Sequence, residues 1–253
     1  MLAPITILLI ERITRGLWFD LDNHYRQNKD NPFRRNFGLV FQEYVGFILK
    51  KFLGEDFVKS EFKYGSSSKS LDSIDWIILK DNQAVFIEVK YSCLYLNSKL
   101  WGEQDEIEQN LKKTIGKRVN QLKNFNNNIK SNKYPELNYL KNLDSIGRVI
   151  ITYDSSYYLN SFCRNLIRQS IHDIDDNFHW HTISIDDLED FLGYTQNSFF
   201  DSLREKRNNP DWDSMDFHNY CCRRYPKDQL DDSIMSSLFD LSLSELGINF
   251  KNK

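Results

Sequence analysis

The chain has 253 residues, enough for one large domain, or one domain plus an appendage, with a substantial buried core. Forty per cent of it is hydrophobic and 14% aromatic, which excludes a disordered chain. A formal net charge of -3 excludes a uniformly basic surface but leaves room for a local basic groove.

Residues 1–32 read as a helical extension. The apolar opening is too short to span a bilayer and runs straight into Glu11 and Arg12, so neither a membrane segment nor a signal peptide is expected. From Phe33 to Gly54, Leu39, Val40, Tyr44, Phe47, Ile48 and Phe52 recur at helical spacing, and Gly54 is a stop signal. Residues 56–64 predict a first strand and residues 65–70 a loop. The run "SIDWIILKDNQAVFIEVKYS" (73–92) predicts two strands joined by a turn at Lys80-Asp81-Asn82-Gln83. Ile74, Trp76 and Ile78 are expected on one face of the first of these strands.

A long polar helix follows over residues 103–130, with an apolar stripe of Ile107, Leu111, Ile115, Val119, Leu122 and Phe125. Residues 147–154 read as a buried strand and 155–171 as a helix. Residues 180–193 read as a short strand and then a helix capped by Ser184, with Asp187 three residues on. Two further helices are expected over 198–206 and 228–246. The order predicts a mixed α/β fold, with a core domain over 33–195 and a C-terminal helical appendage over 196–253.

Charge is segregated along the chain. Between Gln109 and Lys133 there are seven basic residues and no acidic one, a stripe that suits either a solvated helix face or the wall of a phosphate-binding groove. Lys113 and Lys117, four residues apart, and Arg118 are the candidates for nucleic-acid contact. Four cysteines, Cys93, Cys163, Cys221 and Cys222, give neither a disulfide framework nor a zinc spacing, so a reducing cytoplasm is expected. "HWH" (179–181) puts two histidines on one strand face, but no carboxylate stands at ligand spacing. "HNYCC" (218–222) lacks a second ligand pair.

The chemistry is concentrated in residues 73–92. Side chains alternate along a strand, so Val85, Ile87 and Val89 point one way and Phe86, Glu88 and Lys90 the other. If the two strands pair as a hairpin, Asp75 and Glu88 converge. Two carboxylates at one point suit a hard divalent cation with oxygen ligands, and Lys90 beside them can hold a water or stabilise phosphate charge. The plainer alternative is a solvated strand face with ordinary cross-strand charges.

Asp75 followed by Glu88-Val89-Lys90 resembles the PD-(D/E)xK nuclease superfamily, which has the restriction-endonuclease-like fold: a mixed sheet flanked by helices. The proline of the motif is absent, since Ile74 precedes Asp75. The resemblance covers about residues 36–125. It implies that Asp75, Glu88 and the Val89 carbonyl ligate Mg²⁺, with Mn²⁺ as a substitute, and that Lys90 positions the attacking water. It also implies that Glu43, on the preceding helix, reaches the metal site and that Gln121, on the following helix, orients it. A metal-dependent endonuclease acting on double-stranded DNA is therefore the expectation. Its rivals are the same chemistry on RNA and a non-catalytic nucleic-acid-binding module. Cutting both strands of a duplex favours a homodimer, and the helical flanks suit a partner protein or a role in defence against foreign DNA.

Overall fold

The computed structural model of the protein describes residues 18, 20–22, 24–25, 32–91, 104–153, 159–171, 174–175, 177–195 and 198–225. The apolar opening, Cys93 and the helix expected over 228–246 lie outside the described residues.

Helix α1 (Pro32–Leu53) opens on a proline, whose fixed φ suits a first helical turn. It ends at Gly54, whose φ of 96° lies in the left-handed region that glycine enters at little cost. Phe41, Val45, Ile48 and Leu49 form its buried stripe. Of the expected stripe, Ile48 is buried and Tyr44 and Phe52 pack against the core, but Leu39, Val40 and Phe47 are exposed.

Strands β1 (Val58–Ser60), β2 (Lys63–Ser66) and β3 (Lys69–Asp72) follow. The segment read as one strand is thus two, and the expected loop is the tip of a separate β2–β3 hairpin. Strands β4 (Trp76–Lys80) and β5 (Gln83–Lys90) form the expected hairpin. Asp81 and Asn82 at its turn both have positive φ, as a two-residue turn matched to strand twist requires.

Helix α2 (Gln104–Leu111), a widened π-type turn (Lys112–Gly116) and helix α3 (Lys117–Lys130) run on from one another. Strand β6 (Ser145–Thr152), helix α4 (Phe162–Ser170), strand β7 (His181–Ser184) and helix α5 (Ile185–Thr195) come next. The expected cap of α5 is present: the Asp187 amide donates to Ser184 Oγ at 3.1 Å. Helices α6 (Phe199–Asn208), α7 (Pro210–Asp213) and α8 (Phe217–Arg224) end the described chain.

The main sheet has the order β1-β4-β5-β6-β7. Its first two pairings are antiparallel and its last two parallel. The fold is α/β with a mixed five-stranded sheet, buried on both faces. Val85, Ile87 and Val89 of β5 face a core shared with α1, α5, α6 and α8. Ala84 and Phe86 face a second core, with Leu111, Ile115, Val119, Leu122 and Phe125 of the long helical segment. That helical stripe and the alternation in β5 are as expected. Ile74 is not: it packs in the second core while Trp76 and Ile78 pack in the first. The alternation starts only at Trp76, because residues 73–75 precede the strand and bend.

The segment after residue 195 contributes Phe199, Leu203, Phe217, Tyr220 and Cys221 to the same core as β5 and β6. Among the described residues no separate core distinguishes an appendage there. At the other end Trp18 packs against Phe33, Phe37 and Tyr91, and Asp22 pairs with Arg34. No helix among the described residues is long and apolar enough to cross a membrane.

Candidate active site

The β4–β5 register sets the site. Trp76 lies opposite Ile87, so Asp75, one residue before β4, falls beside Glu88. Asp75 is held there by its own main-chain neighbour across the hairpin: the Val89 amide donates to Asp75 Oδ2 at 2.6 Å. Glu88 is buried, 1% exposed, on the same face of β5 as Lys90. Both stand at the carboxyl end of the parallel strands β5 and β6, where open α/β sheets place their ligands.

Three carboxylates sense one another here. Burial is the first cause that raises Glu88, and Asp75 is the second; against the opposing pull of Arg118 they bring it to about 8. Burial also raises Asp75, opposed by the Val89 amide and Arg118. Glu61, between β1 and β2, is raised by burial and then by Asp75 and Asp72, while a hydrogen bond from Gln42 and the charge of Arg118 oppose this. Lys90 is lowered to about 8, by burial first and then by Arg118, Lys117 and Arg34. A cluster of acids pushed towards protonation by burial and mutual repulsion is a donor set that a hard divalent cation relieves. Asp75 and Glu88 supply two oxygen ligands, a number that suits Mg²⁺, which keeps several waters.

Arg118, at the start of α3, donates from Nη1 to Glu88 Oε2 at 3.2 Å and to Gln121 Oε1 at 2.6 Å. Gln121 thus stands at the site, one guanidinium away from Glu88. Lys117 is exposed and close enough to act on Lys90. Lys113 is also exposed; it lies within the widened turn, four residues before Lys117.

Glu43 is brought to the site by no contact among the described residues. It shares the solvent-facing side of α1 with Leu39, Val40 and Phe47. Its neighbour Gln42 turns inward, with its carbonyl accepting from Trp76 Nε1 at 3.1 Å and its side chain bonding Glu61. Sequence reasoning missed Glu61, whose short strand segment carries no catalytic spacing. Trp76 and Tyr91 are packing residues.

A second cluster lies elsewhere. His179 and His181 meet a carboxylate after all, Asp213 at the end of α7. Among the described residues it is the one compact group of three histidine, cysteine or carboxylate donors. No signal near "HWH" in the sequence points to Asp213. Comparison of the chain with protein-family models, with curated proteins and with solved structures gave no match.

Proposed function

We propose that the protein is a Mg²⁺-dependent nuclease that hydrolyses DNA phosphodiester bonds, with Mn²⁺ as an alternative ion. The observation that carries this reading is the meeting of Asp75 and Glu88 at the carboxyl end of the sheet, with Lys90 on the same face and Arg118 against Glu88. The placement of α1 before the strands and of α3, with Gln121, after the strand of Glu88 and Lys90 supports the resemblance to the restriction-endonuclease-like fold.

In this reading Asp75, Glu88 and the main-chain carbonyl of Val89 hold the ion. A bound Mg²⁺ supplies Lewis-acid stabilisation of the charge that develops on the phosphate and acidifies a water. Arg118, Lys117 and Arg34 draw the anionic backbone towards Lys90. Lys90 orients the attacking water, and its depressed pKa keeps it near the point of proton exchange at neutral pH. Arg118 exchanges Glu88 for a phosphate oxygen when substrate enters, and Gln121 guides that guanidinium.

Purified protein is incubated with plasmid, linear duplex and RNA, with and without Mg²⁺ or Mn²⁺, beside Glu88→Ala. Metal-dependent DNA cleavage that is lost in Glu88→Ala is expected. Cleavage of RNA alone would move the substrate to RNA. Nucleic-acid binding without cleavage under either ion would leave a binding module in place of an enzyme.

A further inference from the structure

We propose that His179, His181 and Asp213 form a second metal site, one for a transition-metal cation of the zinc class, separate from Asp75 and Glu88 and independent of the reading given to them. His179 stands just before β7 and His181 is its first residue, so the two rings share a side and lie 4.6 Å apart between centroids. Helix α7 brings Asp213 against them. His179 Nε2 is 2.6 Å from Asp213 Oδ1, His181 Nε2 is 4.0 Å from the same oxygen, and the three donor atoms all lie within 4.8 Å of one another.

The hydrogen bonding of this cluster does not close without a further atom. His181 is 3% exposed, and neither of its ring nitrogens has a partner. Its 4.0 Å approach to Asp213 is too long for a hydrogen bond. Buried polar groups in folded proteins are almost always paired, and an orphaned pair of ring nitrogens calls for an ion or a water. His179 Nε2 faces the opposite problem. It lies 2.8 Å from Arg164 Nη1, which can only donate, and 2.6 Å from Asp213 Oδ1, which can only accept. Arg164 Nη1 also reaches Asp213 Oδ1 at 3.1 Å and the Trp180 carbonyl at 3.4 Å, so an Nε2–H that donates to Asp213 is satisfied but is left 2.8 Å from a second donor. A cation between the two Nε2 atoms and Oδ1 gives the His181 Nε2 lone pair its partner and separates the Nε2 of His179 from its competing contacts, with His181 Nδ1 left as the ring N–H.

The donor set selects the metal. Two neutral imidazoles and one carboxylate suit Zn²⁺ or Co²⁺ rather than Mg²⁺, which takes oxygen ligands. Tetrahedral zinc ligands stand about 3.3 Å apart. The 2.6 Å and 4.0 Å separations from Asp213 Oδ1 bracket that value, and the three ligand atoms all lie within 4.8 Å of one another, so side-chain adjustment without backbone rearrangement completes the site. Asp213 keeps an outer partner, since Arg164 Nη2 donates to Oδ2 at 2.8 Å, the kind of second contact that orients metal-ligating carboxylates. Lys206 donates to the carbonyls of Trp212, Asp213 and Met215 and fixes the turn that carries the ligand.

Three protein ligands leave a fourth position. The side chains of His179 and Asp213 are 21% and 25% exposed, and the cleft beside the two histidines is lined by Arg148, Arg204 and Arg207. These cations, with Arg164 and Lys206, work against a bare dication. They favour an anion, hydroxide or phosphate, as the fourth ligand.

The full-length Asp75→Ala, Glu88→Ala double variant and the wild type are titrated with Zn²⁺ against a chromophoric chelator, and with Co²⁺ by visible absorption. One Zn²⁺ per chain and an intense, tetrahedral-type Co²⁺ band are expected in both proteins. His179→Ala and His181→Gln, made separately and checked for a native circular dichroism spectrum, are each expected to lose at least about 100-fold in Zn²⁺ affinity, since even outer-shell partners are worth 10–100-fold. His179 is partly exposed, so its removal keeps the test open should His181→Gln misfold. No Co²⁺ band in folded wild type would overturn the proposal, as would Zn²⁺ affinity unchanged in His179→Ala or abolished in the double variant.

Discussion

Asp75 does two things at once. Its Oδ2 accepts the Val89 amide, and its charge belongs to the acid cluster with Glu88 and Glu61. The two roles separate by substitution. Asp75→Asn keeps an acceptor for Val89 and removes the charge, so cleavage is expected to vanish with little change in stability. Asp75→Ala also strips the amide of its partner and is expected to cost about 1–3 kcal/mol more in urea unfolding. Equal stability of the two variants would show that the Val89 bond contributes nothing. Glu189 on α5 tests burial away from the site. Its carboxylate accepts from the Tyr44 hydroxyl at 2.6 Å, yet burial raises it from 4.5 to about 7. The folded state therefore holds this proton more tightly than the unfolded chain does. The associated stability is complete below pH 4.5 and is lost as pH rises through about 7. Glu189→Gln retains the acceptor for Tyr44 and never ionises. It is expected to match the wild type near pH 4.5 and to exceed it by about 3 kcal/mol at pH 8 in chemical denaturation. A difference that does not change with pH would contradict this.

Helix α1 is set against the hairpin by a missing side chain. A Cβ at Gly46 would lie 2.0 Å from Trp76 Cζ2, and the same indole donates to the Gln42 carbonyl one turn earlier. Gly46→Ala is expected to destabilise by about 3 kcal/mol or more, since neither the helix nor the buried ring can give way cheaply. Gly38 on the same helix would meet only Tyr91, at 3.4 Å. Gly38→Ala is expected to be neutral or stabilising by up to about 1 kcal/mol through helix propensity, which makes it the control for Gly46→Ala in thermal unfolding. The basic face runs from the widened turn into α3. Lys117 is the lysine that acts on Lys90, and Lys113 lies four residues before it, inside the widened turn. In a Glu88→Ala background, Lys117→Ala is expected to weaken duplex binding and to lower the log–log salt slope by about 0.9, with Lys113→Ala changing it less. Equal effects of the two would place Lys113 as close to the duplex as Lys117.

The sheet is covered on both faces, and its first core draws on residues from Phe41 to Cys221. Ending the chain at residue 195 removes Phe199, Leu203, Phe217, Tyr220 and Cys221 from around Phe191. Such a protein is expected to lose its cooperative thermal transition in circular dichroism; a sharp transition near that of the full chain would show that 196–253 is separable. Much of this molecule was legible in its order of residues. The β4–β5 hairpin, the apolar stripe of α2 and α3, the Ser184 cap and the side of β5 shared by Glu88 and Lys90 all follow from rules that act within a few residues. Periodicity gave only part of the buried face of α1, Ile48 with Tyr44 and Phe52, because apolar residues surround that helix and the packing of Phe41, Val45, Leu49 and of Gly46 on Trp76 fixes its rotation. That rotation puts Gln42 inward and Glu43 outward. Glu61 beside Asp75, Arg118 on Glu88 and Asp213 under the two histidines depend on chain segments that meet only when the two cores close. Spacing along the chain carries local geometry, whereas charge clusters are set by which buried surfaces pack together.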